Sequence, residues 1–400
     1  MIDEIVVSVI ITTYNRWNFV QQAIDSVLAQ TYPNYELIVI DDGSTDGTKE
    51  LLPSKYKGKL KYVWHENQER SKARNLGISL SKGKYLAFLD SDDKWHPDKL
   101  IEQVEYIEKR REKEPSIALV CSSVWLIDSE GKLITNKIAG RKTNLEKLKP
   151  FDFLIGSRIY APPSNALYVR EYVEKVGGFD KDLPPIEDRG LLIKLREKYK
   201  FVYLDKPLIY YRVHKENTPG LSTHEKIEDR LSVLLKLIDK LCRSKWTSEE
   251  IASATANFYE EAAYWHFNIH DWENGRENLI QAWESNPAYF AKTKRFVNKI
   301  AINGYKSSIK HIKTNLADEL MKYFEDFYFP NIKKVWPNSN LEKIDVKRKI
   351  EATYSHILVT DKNAIISKKE AIDLCLKAFS YSRYLISIET WKTLIKHILS

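Results

Sequence analysis

Tyr85-Leu86-Ala87-Phe88-Leu89-Asp90-Ser91-Asp92-Asp93 is the stretch that decides the fold. Its apolar run is too short for a core helix and reads as a strand buried on both faces, with carboxylates following at once. Pro97 suits the first position of a helix continuing through Leu100, Ile101, Val104 and Ile107, because that position needs no backbone donor. A buried strand, an acidic turn and a helix form the repeating unit of open α/β sheets, where ligands bind beyond the carboxyl ends of the strands. The acids therefore stand where a site belongs. Carboxylates this close repel one another unless a cation or solvent relieves them, and a hard divalent cation shared with substrate phosphates is a natural relief. Taken alone, the same four residues also suit a solvated turn with a helix cap.

Working upstream, Ile5 to Thr12 is rich in Val and Ile and reads as a first strand. Trp17 to Gln30 places Phe19, Val20, Ala23, Ile24, Val27 and Leu28 on one helix face, and Tyr35 to Asp41 is a second buried strand. Ser71 to Leu80 is a helix. The succession is βαβ, which predicts an α/β domain with a mainly parallel sheet covered by helices. Asp41-Asp42-Gly43-Ser44 closes the second strand, so two strands deliver carboxylates to one sheet edge, although Asp, Gly and Ser are also turn formers.

Downstream, strands are expected at Ala118 to Ile127, Phe201 to Tyr203 and Leu208 to Val213, with helices at Arg170 to Val176 and Ile186 to Lys198. Glu187-Asp188 precedes Leu191, Leu192 and Leu195 and is equally readable as a helix N-terminus. Beyond about Thr223 strand signals fade. Leu231, Leu234, Leu235 and Ile238, then Phe258, Ala262 and Trp265, recur at helical spacing. A boundary near Ser222 to Glu225 gives an α/β domain over 1–223 and an all-α domain over 224–400. Within the latter, Trp272, Gly275, Leu279, Ala282 and Pro287 match part of a tetratricopeptide-type helix pair, with a looser echo from Glu370 to Ile398; an ordinary helical bundle is the alternative.

Composition bounds the function. The chain has 400 residues, 43% hydrophobic and 30% charged, with 14 Gly and 14 Pro, which rules out collagen-like and low-complexity character. No apolar run approaches the roughly 18 residues of a membrane helix. Acids rather than Lys or Arg follow Met1, which predicts a cytoplasmic address. Cys121, Cys242 and Cys375 are too widely spaced for a zinc pair and are expected as buried thiols. A net charge of +8 is mild for this length and does not call for nucleic acid. Seven basic residues between Lys292 and Lys313 are unmixed with acids, either a solvated helix face or a patch for an anionic membrane surface or acidic glycan. No GxGxxG follows the first strand. The nearest phosphate-loop spacing, Gly77 to Lys84, has one residue too many and Tyr85 where Ser or Thr is needed. HExxH and GxSxG are absent, which disfavours metalloprotease and serine-hydrolase chemistry.

One set of residues occurs in a single order: Ser8-Val9-Ile10-Ile11-Thr12-Thr13-Tyr14-Asn15, Gln30-Thr31-Tyr32-Pro33, Asp41-Asp42-Gly43-Ser44-Thr45-Asp46, Ala73-Arg74-Asn75, Asp90-Ser91-Asp92-Asp93, Trp95-His96-Pro97 and Gly177-Gly178-Phe179-Asp180. This set resembles glycosyltransferase family 2, with its GT-A fold, from about residue 6 to 217. The resemblance implies an inverting hexosyl- or N-acetylhexosaminyltransferase acting on a nucleotide-sugar donor, with UDP the commonest carrier. Thr12, Tyr14 and Asp42 would line the nucleoside pocket, Arg74 would lie beside the base or diphosphate, and Asp90 would approach the ribose. Asp92 would ligate Mg2+ or Mn2+, Asp188 would be the general base, and Glu187 would face the acceptor. Tyr211-Arg212-Val213-His214 resembles a segment whose histidine reaches the metal, which nominates His214. The loop Asn67-Gln68-Glu69-Arg70-Ser71 departs from the family's glycine-containing pattern, and there is no QxxRW segment, so transfer of one or a few sugars to a glycan or lipid-linked acceptor is expected.

Two other classes compete. A scaffold with an inactive transferase domain is disfavoured by the intact acidic motifs. A sugar nucleotidyltransferase would need a Gly- and Lys-rich phosphate loop early in the chain, which is missing.

Overall fold

The computed structural model describes residues 6–134, 145–154, 163–184, 186–213, 223–241, 246–269 and 271–286. They group into two compact units, one built on Met1–Leu221 with Ser232–Glu250 and the other on Ser222–Leu231 with Ile251–Ser400.

In the first unit the elements run β1 (Val7–Thr13), α1 (Trp17–Leu28), β2 (Tyr35–Asp41), α2 (Thr48–Lys55), β3 (Lys61–Trp64), α3 (Arg70–Ser79), β4 (Tyr85–Asp90), β5 (Lys94–Trp95), α4 (Lys99–Lys113) and β6 (Ile117–Ile127). After them come α5 (Pro150–Leu154), β7 (Ala166–Val169), α6 (Arg170–Lys175), α7 (Glu187–Arg196) and β8 (Lys200–Arg212). The strands form one sheet in the order β3-β2-β1-β4-β7-β6-β8-β5. From β3 to β4 all pairings are parallel, β6 and β8 are also parallel, and β7 and β5 run against their neighbours. The sheet is thus mixed but mainly parallel, as βαβ reasoning predicts; among its antiparallel members, β7 is a four-residue strand that turns back between β4 and β6.

Strand β1 explains the layering. Val7, Val9 and Ile11 point to one face and join Val20, Ala23, Ile24 and Val27 of α1 in the main core. Complete burial of each such aliphatic side chain contributes about 1.5–3 kcal/mol. On the opposite face Ile38 and Ile40 of β2 meet Ala73 of α3. Close approach there depends on Gly77, where a Cβ would stand 2.5 Å from Ile10 Cγ2. Pro207 interrupts the ladder donors of β8, and the strand continues past it by shifting register against Ser122 and Ser123 of β6.

The remaining described elements are α8 (His224–Leu241), α9 (Ser248–Asn268) and α10 (Trp272–Ser285). Gly275 and Ala282 of α10 are buried. None of the described helices is long and apolar enough to cross a membrane. Cys121 is buried as expected. His214, Cys242, Cys375, Pro287, the basic stretch Lys292 to Lys313 and the echo from Glu370 to Ile398 lie outside the described residues.

Candidate active site

Parallel register brings the acidic strand ends together. Thr12 of β1 lies opposite Ile40 of β2 on one side and Asp90 of β4 on the other, and Thr13 lies opposite Asp41. Asp42 follows directly and is buried, its Oδ1 accepting from the Gln68 backbone N–H at 2.9 Å. Asp41 is committed to structure: Oδ1 accepts from Ser44 N–H at 2.8 Å and Oδ2 from the Tyr62 hydroxyl at 2.6 Å. Gly43 adopts φ +87°, and a Cβ there would lie 2.7 Å from Asn67 N, so this turn requires glycine. Thr12 is half-buried and Tyr14 is exposed at the mouth of the same edge.

The turn after β4 carries three acids in three environments. Asp93 is buried, with Oδ1 accepting from Arg212 N–H at 3.0 Å and Oδ2 without a partner. Burial, then repulsion from Asp92 and Asp90, pushes its carboxyl well above the ordinary range. Asp92 pairs with the Arg16 guanidinium. Asp90 accepts from Arg74 Nη2 at 2.7 Å, and its backbone N–H donates to Ser164 Oγ at 3.0 Å. Burial acts to raise the Asp90 carboxyl, but Arg74, Arg70 and Arg16 together hold it below the usual value.

Arg74 extends this cluster across the fold. Its side chain is only 2% exposed, and Nη1 donates to Glu187 Oε1 at 2.5 Å while Nη2 holds Asp90. It is thus a buried clamp between β4 and the start of α7. Glu187 Oε2 is buried without a partner. Asp188, next in the first turn of α7, is half-buried and accepts from the Arg189 N–H at 2.7 Å. Burial and the Glu187 charge raise its carboxyl above the ordinary range, against the pull of Arg74.

The Gly177-Gly178-Phe179 segment supports the clamp. Asn75 accepts from Phe179 N–H at 2.9 Å and donates to Phe179 O at 2.8 Å, and the Phe179 ring lies 5.2 Å from the Arg74 guanidinium. Gly178 has φ +63°, and a Cβ would meet Asn75 Oδ1 at 2.6 Å. Sequence reasoning assigned no task to Arg212. It is fully buried, donating from Nε to Asp92 O at 2.7 Å, from Nη1 to Ser129 O at 2.9 Å and from Nη2 to Gln22 Oε1 at 2.9 Å, and so holds the acidic turn in place. Its place within Tyr211-Arg212-Val213-His214 was the available signal. Of the nominated residues, Thr12, Asp42, Asp90 and Asp92 share the carboxyl edge, and Glu187 and Asp188 join it through Arg74.

The cluster stands beyond the carboxyl ends of the strands, which is where ligands bind in open α/β sheets. Residues 8–177 match the Glycosyl transferase family 2 description. An uncharacterised glycosyltransferase of Rickettsia prowazekii is 32% identical over 263 residues, covering 64% of this chain and 81% of the relative. One from Rickettsia bellii is 32% identical over 270 residues, and there the match spans 38% of the relative's length. The chain also resembles S. aureus TarS 1–349 at 17% identity and a TM-score of 0.49, covering 87% of this chain and 91% of that one. The chain belongs to glycosyltransferase family 2 and is a transferase.

Proposed function

We propose that the protein is an inverting, metal-dependent glycosyltransferase that moves a sugar from a nucleotide-diphosphate donor, UDP-linked by family frequency, to a glycan or lipid-linked acceptor, one or a few residues at a time. The observation that carries this reading is the Arg74 bridge. It ties Asp90, at the donor edge, to Glu187, the neighbour of Asp188, through bonds of 2.7 and 2.5 Å.

Thr12, Tyr14 and Asp42 line the nucleoside side, and Asp90 faces the ribose. The residues present fit a hard divalent cation, Mg2+ or Mn2+: Asp92 already faces a cationic group in Arg16, and it stands among closely spaced, mutually repelling acids. Asp92 would hold it, with His214 as a further ligand, and the bound ion would neutralise the leaving diphosphate. Asp188 takes the proton of the attacking acceptor hydroxyl as the glycosidic bond forms. A carboxyl raised by burial is a stronger proton acceptor than an exposed one, which suits that task. Glu187 lies on the acceptor side. On this reading residues 1–223 are catalytic, and the 224–400 segment docks the acceptor or an anionic membrane surface at its cytoplasmic face.

The test is release of nucleoside diphosphate from a panel of nucleotide sugars, with and without Mn2+, by the wild-type chain and Asp188→Asn. Asn keeps the shape but accepts no proton, so turnover should fall by about two to four orders of magnitude with donor affinity nearly unchanged. Release of pyrophosphate instead would indicate a nucleotidyltransferase, and wild-type turnover in Asp188→Asn would remove the base assignment.

A further inference from the structure

We propose that the helical unit carries a zinc site, formed by His224 at the start of α8, His266 on α9 and Asp271 at the N-cap of α10, which fastens the three helices together. One donor atom from each of these residues lies within 4.8 Å of the others. His266 Nδ1 is 2.9 Å from Asp271 Oδ2, and His224 Nδ1 is 3.3 Å from the same oxygen. Zinc bonds nitrogen and carboxylate oxygen at about 2.0–2.1 Å, so the edges of its coordination tetrahedron are about 3.3 Å. Both distances to Asp271 Oδ2 already stand close to that spacing.

The surroundings are those of a ligand set rather than of an exposed charge cluster. His266 is fully buried, and its other ring nitrogen, Nε2, lies 2.8 Å from Glu228 Oε1. That carboxylate is itself fixed by the Asn278 side-chain amide at 3.2 Å. A carboxylate accepting from the distal nitrogen fixes the tautomer of a metal-bound imidazole and raises its basicity, presenting Nδ1 to the ion. Asp271 accepts from the Asn274 side chain at 2.9 Å, which orients the third ligand. The His224 ring, 5.2 Å from that of His266, is partly exposed and supplies the entry side. Two imidazoles and one carboxylate suit Zn2+, with water in the fourth position. Such an ion would tie the start of α8 to the end of α9 and the cap of α10, its three protein ligands leaving the fourth position to water.

The experiment uses the full-length protein, stripped with chelator and titrated calorimetrically with Zn2+ alone, nucleotide and Mn2+ being absent. Wild type should bind one equivalent and unfold at a higher temperature with zinc. His224→Ala removes a partly exposed ligand, and Asp271→Asn keeps the helix cap while removing the anion; each should weaken binding at least tenfold and abolish the thermal shift. Glu228→Gln should weaken it about 10–100-fold. Asp92→Asn should leave zinc binding intact. The proposal fails if wild type binds no zinc, or if binding survives in both His224→Ala and Asp271→Asn, or if it is lost in Asp92→Asn alone, which would put the ion at the strand ends.

Discussion

Replacing Arg74 with Met removes the guanidinium that joins Asp90 to Glu187 while keeping an unbranched side chain against the Phe179 ring. The two contacts do not weigh equally. Asp90 is 32% exposed, so water can take over its solvation, and its share is about 1 kcal/mol or less. Glu187 is 2% exposed, and the next guanidinium, that of Arg70, is 3.8 Å away and itself mostly in solvent. Loss of Arg74 therefore strands a buried carboxylate, which typically costs about 3–5 kcal/mol. The variant should unfold at clearly lower urea concentration at pH 7, followed by tryptophan fluorescence of the ligand-free chain. The sign with pH follows from Asp90. Its carboxyl is held below the ordinary value, so its contribution is complete above about pH 4 and fades as pH falls through the lowered native value. The gap between wild type and variant should narrow in that acidic window. Adding Glu187→Gln to Arg74→Met should restore part of the loss, because the stranded charge is gone. A deficit under about 1 kcal/mol, or a double variant no more stable than Arg74→Met, would refute the clamp.

Two further outcomes follow from individual side chains. Lys99 is fully buried, its Nζ has no hydrogen-bond partner and stands 3.7 Å over the Trp95 ring, and burial pushes its ammonium well below the usual range. Lys99→Met should therefore stabilise the fold by roughly 1–3 kcal/mol at pH 7; the gain should vanish above about pH 10.4 and grow as pH falls toward the lowered native value, so equal stabilities at pH 7 would contradict it. Asp92→Asn should weaken Mn2+-dependent binding of UDP about tenfold or more in calorimetry while leaving metal-free binding little changed; identical metal-dependent affinity would show that Asp92 is not a ligand.

Strands β1, β2 and β4 were legible because they are short apolar runs between helices with a clear apolar face. The helix expected from Trp17 is observed as Trp17–Leu28, and the one expected from Ser71 as Arg70–Ser79. Short elements escaped, among them Thr48–Lys55, Lys61–Trp64 and Lys94–Trp95, and two misses have plain physical reasons. Ala166–Val169 is too short to show a period, although its antiparallel pairing is what makes the sheet mixed. Pro207 divided one long strand into two expected pieces, because a proline in a ladder ordinarily ends it; here the register shift absorbs the missing donor. At the site, the acidic runs were visible as acids. The Arg74 clamp was not, since it joins residues 113 apart in the chain and no local pattern encodes where a guanidinium points.

The same limit applied within Asp90-Ser91-Asp92-Asp93, where sequence alone does not say which carboxylate serves structure. Packing separates them. Asp93 is buried and bound to the backbone of β8, and its raised carboxyl makes it the acid least available to a ligand as an anion. Asp90 and Asp92 keep partial access to solvent and each faces an arginine from a different helix, Arg74 of α3 and Arg16 just before α1. Arg212 then fixes the turn from beneath through its bonds to Asp92 O and Asp93. Three arginines thus offset the closely spaced carboxylates of this strand end, and they do so unequally. Arg74 and Arg212 are buried, and withdrawing either would strand polar groups. Arg16 is partly exposed, so its exchange for another cation costs the least. That asymmetry, rather than the number of acids, is why the metal-binding proposal is tested at Asp92.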